Sequence, residues 1–127
     1  MKFAAIVSKA MFGLMLAAAV CANAANSPVV TVKGYVLDSA CAFTKGLSKP
    51  ISKECATSCA NAGSQLVILS EDGNIYWPIA DSTPSSGQNA KLLPFAGEKV
   101  TASGRIYERG GSKAIVIATI EAQAAAK

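Results

Sequence analysis

Two segments far apart in the chain carry the same signature. Val30-Thr31 is followed by Gly34 and Val36, and Val100-Thr101 is followed by Gly104 and Ile106. Each sits in a long run that alternates in the period-two manner of a half-buried strand. A glycine inside such a run marks a bend, or a place where another backbone comes close. A flat sheet has no need of two long strands kinked at their centres. A small, strongly curved barrel does, because its strands must turn corners.

Three further strands complete the count. Around the first kink the strand covers Pro28–Asp38, and around the second it covers Lys99–Glu108. "QLVILS" (Gln65–Ser70) and "NIYWPI" (Asn74–Ile79) flank Asp72-Gly73, a strong hairpin signal. Pro78 indicates that the second of these stops early or reaches an edge. The last strand, Lys113–Glu121, follows Gly110-Gly111, and the terminal "AQAAAK" reads as a frayed tail. Between strands one and two, "SACAFTKGLSKP" reads as a loose connection. A helix follows, capped by Ser52, running to about Ala62 and stopped by Gly63. Residues 80–89 read as an exposed loop, and "AKLLPFAG" (Ala90–Gly97) as a single helical turn broken by Pro94.

The expectation is a mainly β (α+β) domain, a five-stranded OB-like barrel. Its own helix is the short turn before strand four, and the cysteine-bearing helix is an insertion between strands one and two. An open five-stranded sandwich is the alternative.

Residues 1–24 read as an address label. A lysine at each of positions 2 and 9 precedes or opens an apolar stretch, and "CANA" fits a signal-peptidase site with cleavage after Ala24. The stretch is too short to span a bilayer comfortably. The expectation is a periplasmic or secreted protein with no stable membrane insertion, comprising one domain over residues 25–127. A lipid anchor on Cys21 is the weaker reading, because Val20 is a poor fit before a lipid-attachment cysteine. Without the label the chain keeps ten basic and eight acidic side chains. That balance is too near neutral, and too scattered, to form a nucleic-acid surface. The chain has no histidine, which removes imidazole from both catalysis and metal binding.

The chemistry then falls to Cys41, Cys55 and Cys59. On a helix, positions 55 and 59 share a face with Cβ atoms roughly 5–6 Å apart, whereas a disulfide needs about 3.5–4.5 Å. A regular helix therefore stacks the two thiols without joining them, and Cys41 can reach either from the preceding segment. Three states are open. In the first, Cys41 is paired structurally with Cys55 or Cys59, stabilising by about 2–4 kcal/mol. In the second, the thiols hold a soft ion, Cu(I) or Zn(II), with Asp38 as an oxygen ligand. A redox-active pair is the third, although the spacing is one residue longer than in thioredoxin-type motifs.

The series "GYVLDSAC", "KECATSCANAG", "LVILSEDGNIYWPI", "KLLPFAGEKVTASGRIYERGG" and "KAIVIATIE" resembles a group of small exported bacterial proteins of unknown function. Their pattern is Asp-x-x-Cys followed by Cys-x-x-x-Cys, with Asp38, Cys41, Cys55, Cys59 and Gly63 as the matching positions here. The resemblance implies a histidine three residues before the first helix cysteine, completing a set of three cysteines and one histidine suited to a metal. This chain has Ser52 there. The resemblance carries no reaction.

Other candidates are weaker. Tyr35, Tyr76, Trp77 and Tyr107 could form a stacking platform for a ring, but aromatics are enriched in strands for packing alone. Arg105 and Arg109 could hold an anion. Glu71 and Asp72 are adjacent in a solvated turn and make no acid–base pair. There is no P-loop, nucleophile elbow or dinucleotide fingerprint, and no catalytic constellation was found. The expected function is an exported accessory or binding domain with a three-cysteine site for a soft metal. The alternative is a disulfide-stapled module that binds a protein, a glycan or another small ligand, with neither metal nor catalysis.

Overall fold

The computed structural model describes residues 27–48 and 51–124. The segment read above as an address label, the expected cleavage after Ala24, Cys21 and the last three residues lie outside them. The elements are β1 (Val29–Asp38), α1 (Ser39–Thr44), α2 (Lys53–Asn61), β2 (Leu66–Ser70), β3 (Ile75–Pro78), α3 (Asn89–Leu92), β4 (Lys99–Arg109) and β5 (Ser112–Ala122). A 3-10 turn, Leu93–Phe95, follows α3 and contains Pro94.

The strands close into a barrel in the order β1-β2-β3-β5-β4, with β1 pairing both β2 and β4. All pairings are antiparallel except β3 with β5. This is the expected OB-like barrel, and closure excludes the open sandwich. The two glycines sit where the barrel turns. A Cβ on Gly34 would strike the backbone of Leu69 and Ser70 on β2, and one on Gly104 would strike that of Val116 and Ile117 on β5. The β4–β5 register slips between Ser103 and Gly104, the local irregularity by which a strand bends.

Two apolar clusters follow from strand alternation. The barrel interior holds Val36, Ile68, Val100, Ile115 and their neighbours, and Leu92 of α3 plugs it. The second cluster lies outside the barrel, where Leu37, Val67 and Leu69 meet Ala42 of α1, with Ile51 and Trp77 at its margin. Because both faces of β2 are covered, all five of its residues are buried. That explains why "LVILS" reads as an apolar run with little alternation.

Two expectations need correction. The segment from Ser39 is not a loose connection, since it forms α1 and packs on β1 and β2. The tail is not frayed from Ala122: β5 runs through that residue, and the Gln123 amide donates to the Lys99 carbonyl at 2.8 Å. Among the described residues no helix is long and apolar enough to cross a membrane.

Candidate functional site

β1 ends at Asp38, and its carboxylate organises everything that follows. As the N-cap of α1 it accepts the Cys41 amide hydrogen at 2.8 Å. Its other oxygen accepts the Ser64 hydroxyl. Asp38 is only 4% exposed, and among the described residues it makes no ion pair.

Ser64 reaches Asp38 because of how α2 terminates. Gly63, at φ +98°, reverses the chain. Its amide donates to Ala60, and the Ser64 amide donates to Cys59, the paired bonds that close a helix over a left-handed residue. Asn89 then braces the segment, donating to the Ser64 carbonyl at 2.7 Å and accepting from the Leu66 amide at 2.9 Å. One carboxylate thus ties the start of α1 to the end of α2.

The two cysteine-bearing helices begin alike. Ser52 caps α2 and accepts the Cys55 amide at 3.2 Å, as Asp38 does for Cys41. Both cysteines therefore occupy the third helical position behind a capping oxygen. Cys41, Cys55, Asp38 and Ser52 line one pocket of about 90 Å3, with Leu37 and Ile51 among its apolar walls and Lys45 at its edge. The position at which the resemblance implies an imidazole thus borders the thiols, and here it offers only a hydroxyl engaged in capping. Cys59, one turn beyond Cys55, does not line the pocket, but its thiol meets that of Cys55 and feels the Asp38 charge.

All three described cysteines are free thiols. Burial, then the adjoining Asp38 carboxylate, pushes the Cys41 thiol above its ordinary value. Burial and the Asp38 and Cys55 charges do the same to Cys59. Burial also acts to raise Asp38, but the Ser64 hydroxyl and the Cys41 amide outweigh it and leave the carboxyl below its usual value. The pocket therefore holds an ionised carboxylate beside a Cys41 thiol kept in the protonated form. Among the described residues no three cysteine, aspartate or glutamate side chains close on a common point in the manner of a finished metal cage. Cys55 is exposed, while Cys41 and Cys59 are half-buried. Iodoacetamide at neutral pH should consequently modify Cys55 first, with Cys41 and Cys59 lagging, as read by peptide mass mapping.

The structure brings Asp38, Cys41 and Cys55 to one pocket and leaves Cys59 against its rim. Sequence reasoning missed Ser64, Lys45 and Asn89. Only Ser64 left a trace, since it directly follows the glycine that stops the helix. The chain matches no protein-family model, no curated protein and no solved structure.

Proposed function

We propose that this is an exported binding module that captures a soft, thiophilic cation at Cys41, Cys55 and Cys59. The observation that carries the reading is one pocket that sets the free thiols of Cys41 and Cys55, with Cys59 at its rim, beside a buried carboxylate that has no ion-pair partner among the described residues. An entering cation supplies the missing positive charge and favours loss of the thiol protons. The pocket's size fits an ion, since organic ligands occupy sites of roughly 300–1,000 Å3.

Cu(I) suits the donor set better than Zn(II). A structural Zn(II) site wants four closed ligands. Among the described residues the fourth ligand on hand is Asp38, and both of its oxygens are already engaged. Soft sulfur donors alone satisfy Cu(I). Capture then requires Cys55 to rotate inward and both half-buried thiols to lose protons, so affinity rises with pH.

The test is titration of the reduced protein with Cu(I) against a chromogenic chelator, with Zn(II) run in parallel. One equivalent of Cu(I) should bind more tightly than Zn(II), and Cys41→Ser or Cys55→Ser should weaken binding at least about tenfold. Absence of Cu(I) uptake, or uptake indifferent to Cys41→Ser, would sink the reading. In that case a native mass two hydrogens lower, with one alkylatable thiol, would establish the stapled alternative of Cys41 with Cys55 or Cys59.

A further inference from the structure

The outer surface of the barrel is divided. The segment carrying α1 covers β1 and β2, while the outer face across β3, β5 and β4 is met only at its margins among the described residues, by Phe43 of α1 at Trp77 and by the segment 79–83 near Tyr107 and Val116. On that face Trp77 pairs with Ala114, and Ala114 pairs with Tyr107. Two aromatic side chains therefore flank an alanine across three adjacent strands. Strands lie roughly 4.8 Å apart, which sets the two aromatic backbones about 10 Å apart. The alanine methyl leaves the space between them open as a trough lined by Trp77, Tyr107, Arg109, Ser112 and Lys113. Two ring contacts of roughly 3.5–4 Å each would seat one flat ring there.

The pattern extends to both sides. Tyr107 is also a wall of the next hollow, with Ile79, Asp81 and Val116. Trp77 is likewise a wall of the hollow on its other side, with Phe43, Asn74 and Gly111. Three hollows in a row, separated by aromatic ridges, suit a chain of rings better than a single one. Trp77 is held ready for this. Phe43 lies against it with ring centroids 6.0 Å apart, and its inner part joins the cluster beneath α1.

Charge selects among chains of rings. Arg105 pairs with Asp81 and Lys113 with Glu108. Arg109 is exposed, makes no ion pair among the described residues, and borders the central trough, which has no acidic residue in its lining. One uncommitted guanidinium complements a single carboxylate with two-point geometry. It falls short of the run of cations that a nucleic-acid backbone requires. We infer that the Trp77–Ala114–Tyr107 trough binds an acidic oligosaccharide, with one pyranose ring stacked between the aromatics and its carboxylate on Arg109.

Trp77 is the chain's single tryptophan, so its fluorescence reports on the trough directly. The reduced protein is titrated with a tetragalacturonate, a neutral cellotetraose and an oligothymidylate of eight nucleotides. The uronate should give a saturable change in emission, and the neutral sugar should bind at least about tenfold more weakly. Tyr107→Ala and Arg109→Gln should each weaken uronate binding at least about tenfold. Tyr107→Phe should retain it, and Cys41→Ser should leave it unchanged, which separates this surface from the thiol pocket. No saturable response to the uronate, equal binding of the neutral sugar, or indifference to Arg109→Gln, a substitution at an exposed position, overturns the inference. Tighter binding of the oligothymidylate, falling steeply with salt, overturns it in favour of a nucleic acid.

Discussion

Gly104→Ala should be among the most destabilising single substitutions in this domain, costing about 3 kcal/mol or more of a total on the order of 5–15 kcal/mol. The new methyl would overlap the Val116 carbonyl of β5, and neither partner is a side chain that can swing aside. Both strands are also held by ladder bonds on either side of the contact. Relief therefore requires the strands to part at a barrel corner. Gly34→Ala should behave alike, because its methyl would meet the Leu69 and Ser70 backbone of β2. Gly110→Ala provides the contrast. That glycine has φ +57° and open space around it, so only the left-handed backbone is penalised, by about 1–2 kcal/mol. Denaturant unfolding should rank Gly104→Ala and Gly34→Ala well below Gly110→Ala, and thermal midpoints for the first two should drop by roughly 10–20 °C. Equal losses at all three positions would mean that the corners are not closed by backbone contact.

The same two glycines explain why the barrel was legible in the sequence. A close backbone approach admits one residue type, so closure left a mark at fixed places within the alternating strands. The Asp72-Gly73 hairpin and the Ser52 cap were legible for the same reason, since each is a local requirement written in neighbouring residues. α1 was not, because six residues ending near Gly46 carry too few turns to show an amphipathic period. Its one local sign was Asp38 three residues before Cys41, a capping spacing that also invites a reading as metal ligands. Ser64 was hidden because its contact with Asp38 exists only after Gly63 has reversed the chain. The trough depends on the parallel pairing of β3 with β5, which places Trp77 two strands from Tyr107. No short-range pattern encodes that pairing. What sequence could supply was the inventory of thiols and aromatics; their neighbours came from topology.

Asp38 should carry two separable roles, one in holding the fold and one in setting the state of the thiols. Asp38→Ala removes the cap of α1, worth about 0.5–2 kcal/mol. It also strips the Ser64 hydroxyl of its buried acceptor, worth about 1–3 kcal/mol. Asp38→Asn keeps an oxygen for the Cys41 amide and most of the shape, so its loss should be the smaller. It nevertheless removes the negative charge. Burial still raises the Cys41 thiol, but the contribution from Asp38 disappears, and Cys41 should alkylate faster in Asp38→Asn than in the wild type at equal pH. Acid titration separates the fold role. The folded carboxyl lies below its ordinary value of 3.8, so its stabilisation is complete well above 3.8 and disappears as pH falls through the lower, folded value. Asp38→Asn should lose that part of the acid limb and keep the part due to Asp72, which Ser70 also holds below its ordinary value. At the alkaline end the thiols of Cys41 and Cys59 lie above 9.0 in the folded chain. The unfolded chain releases those protons first, so stability declines as pH rises from about 9 through the folded values. Without the Asp38 charge the folded values move back toward 9.0, so that decline should start at the same pH, end sooner and be smaller. A mutant in which Cys41 reactivity is unchanged while stability falls would show that the carboxylate serves the helix cap alone, and would remove the electrostatic basis for a cation in the pocket.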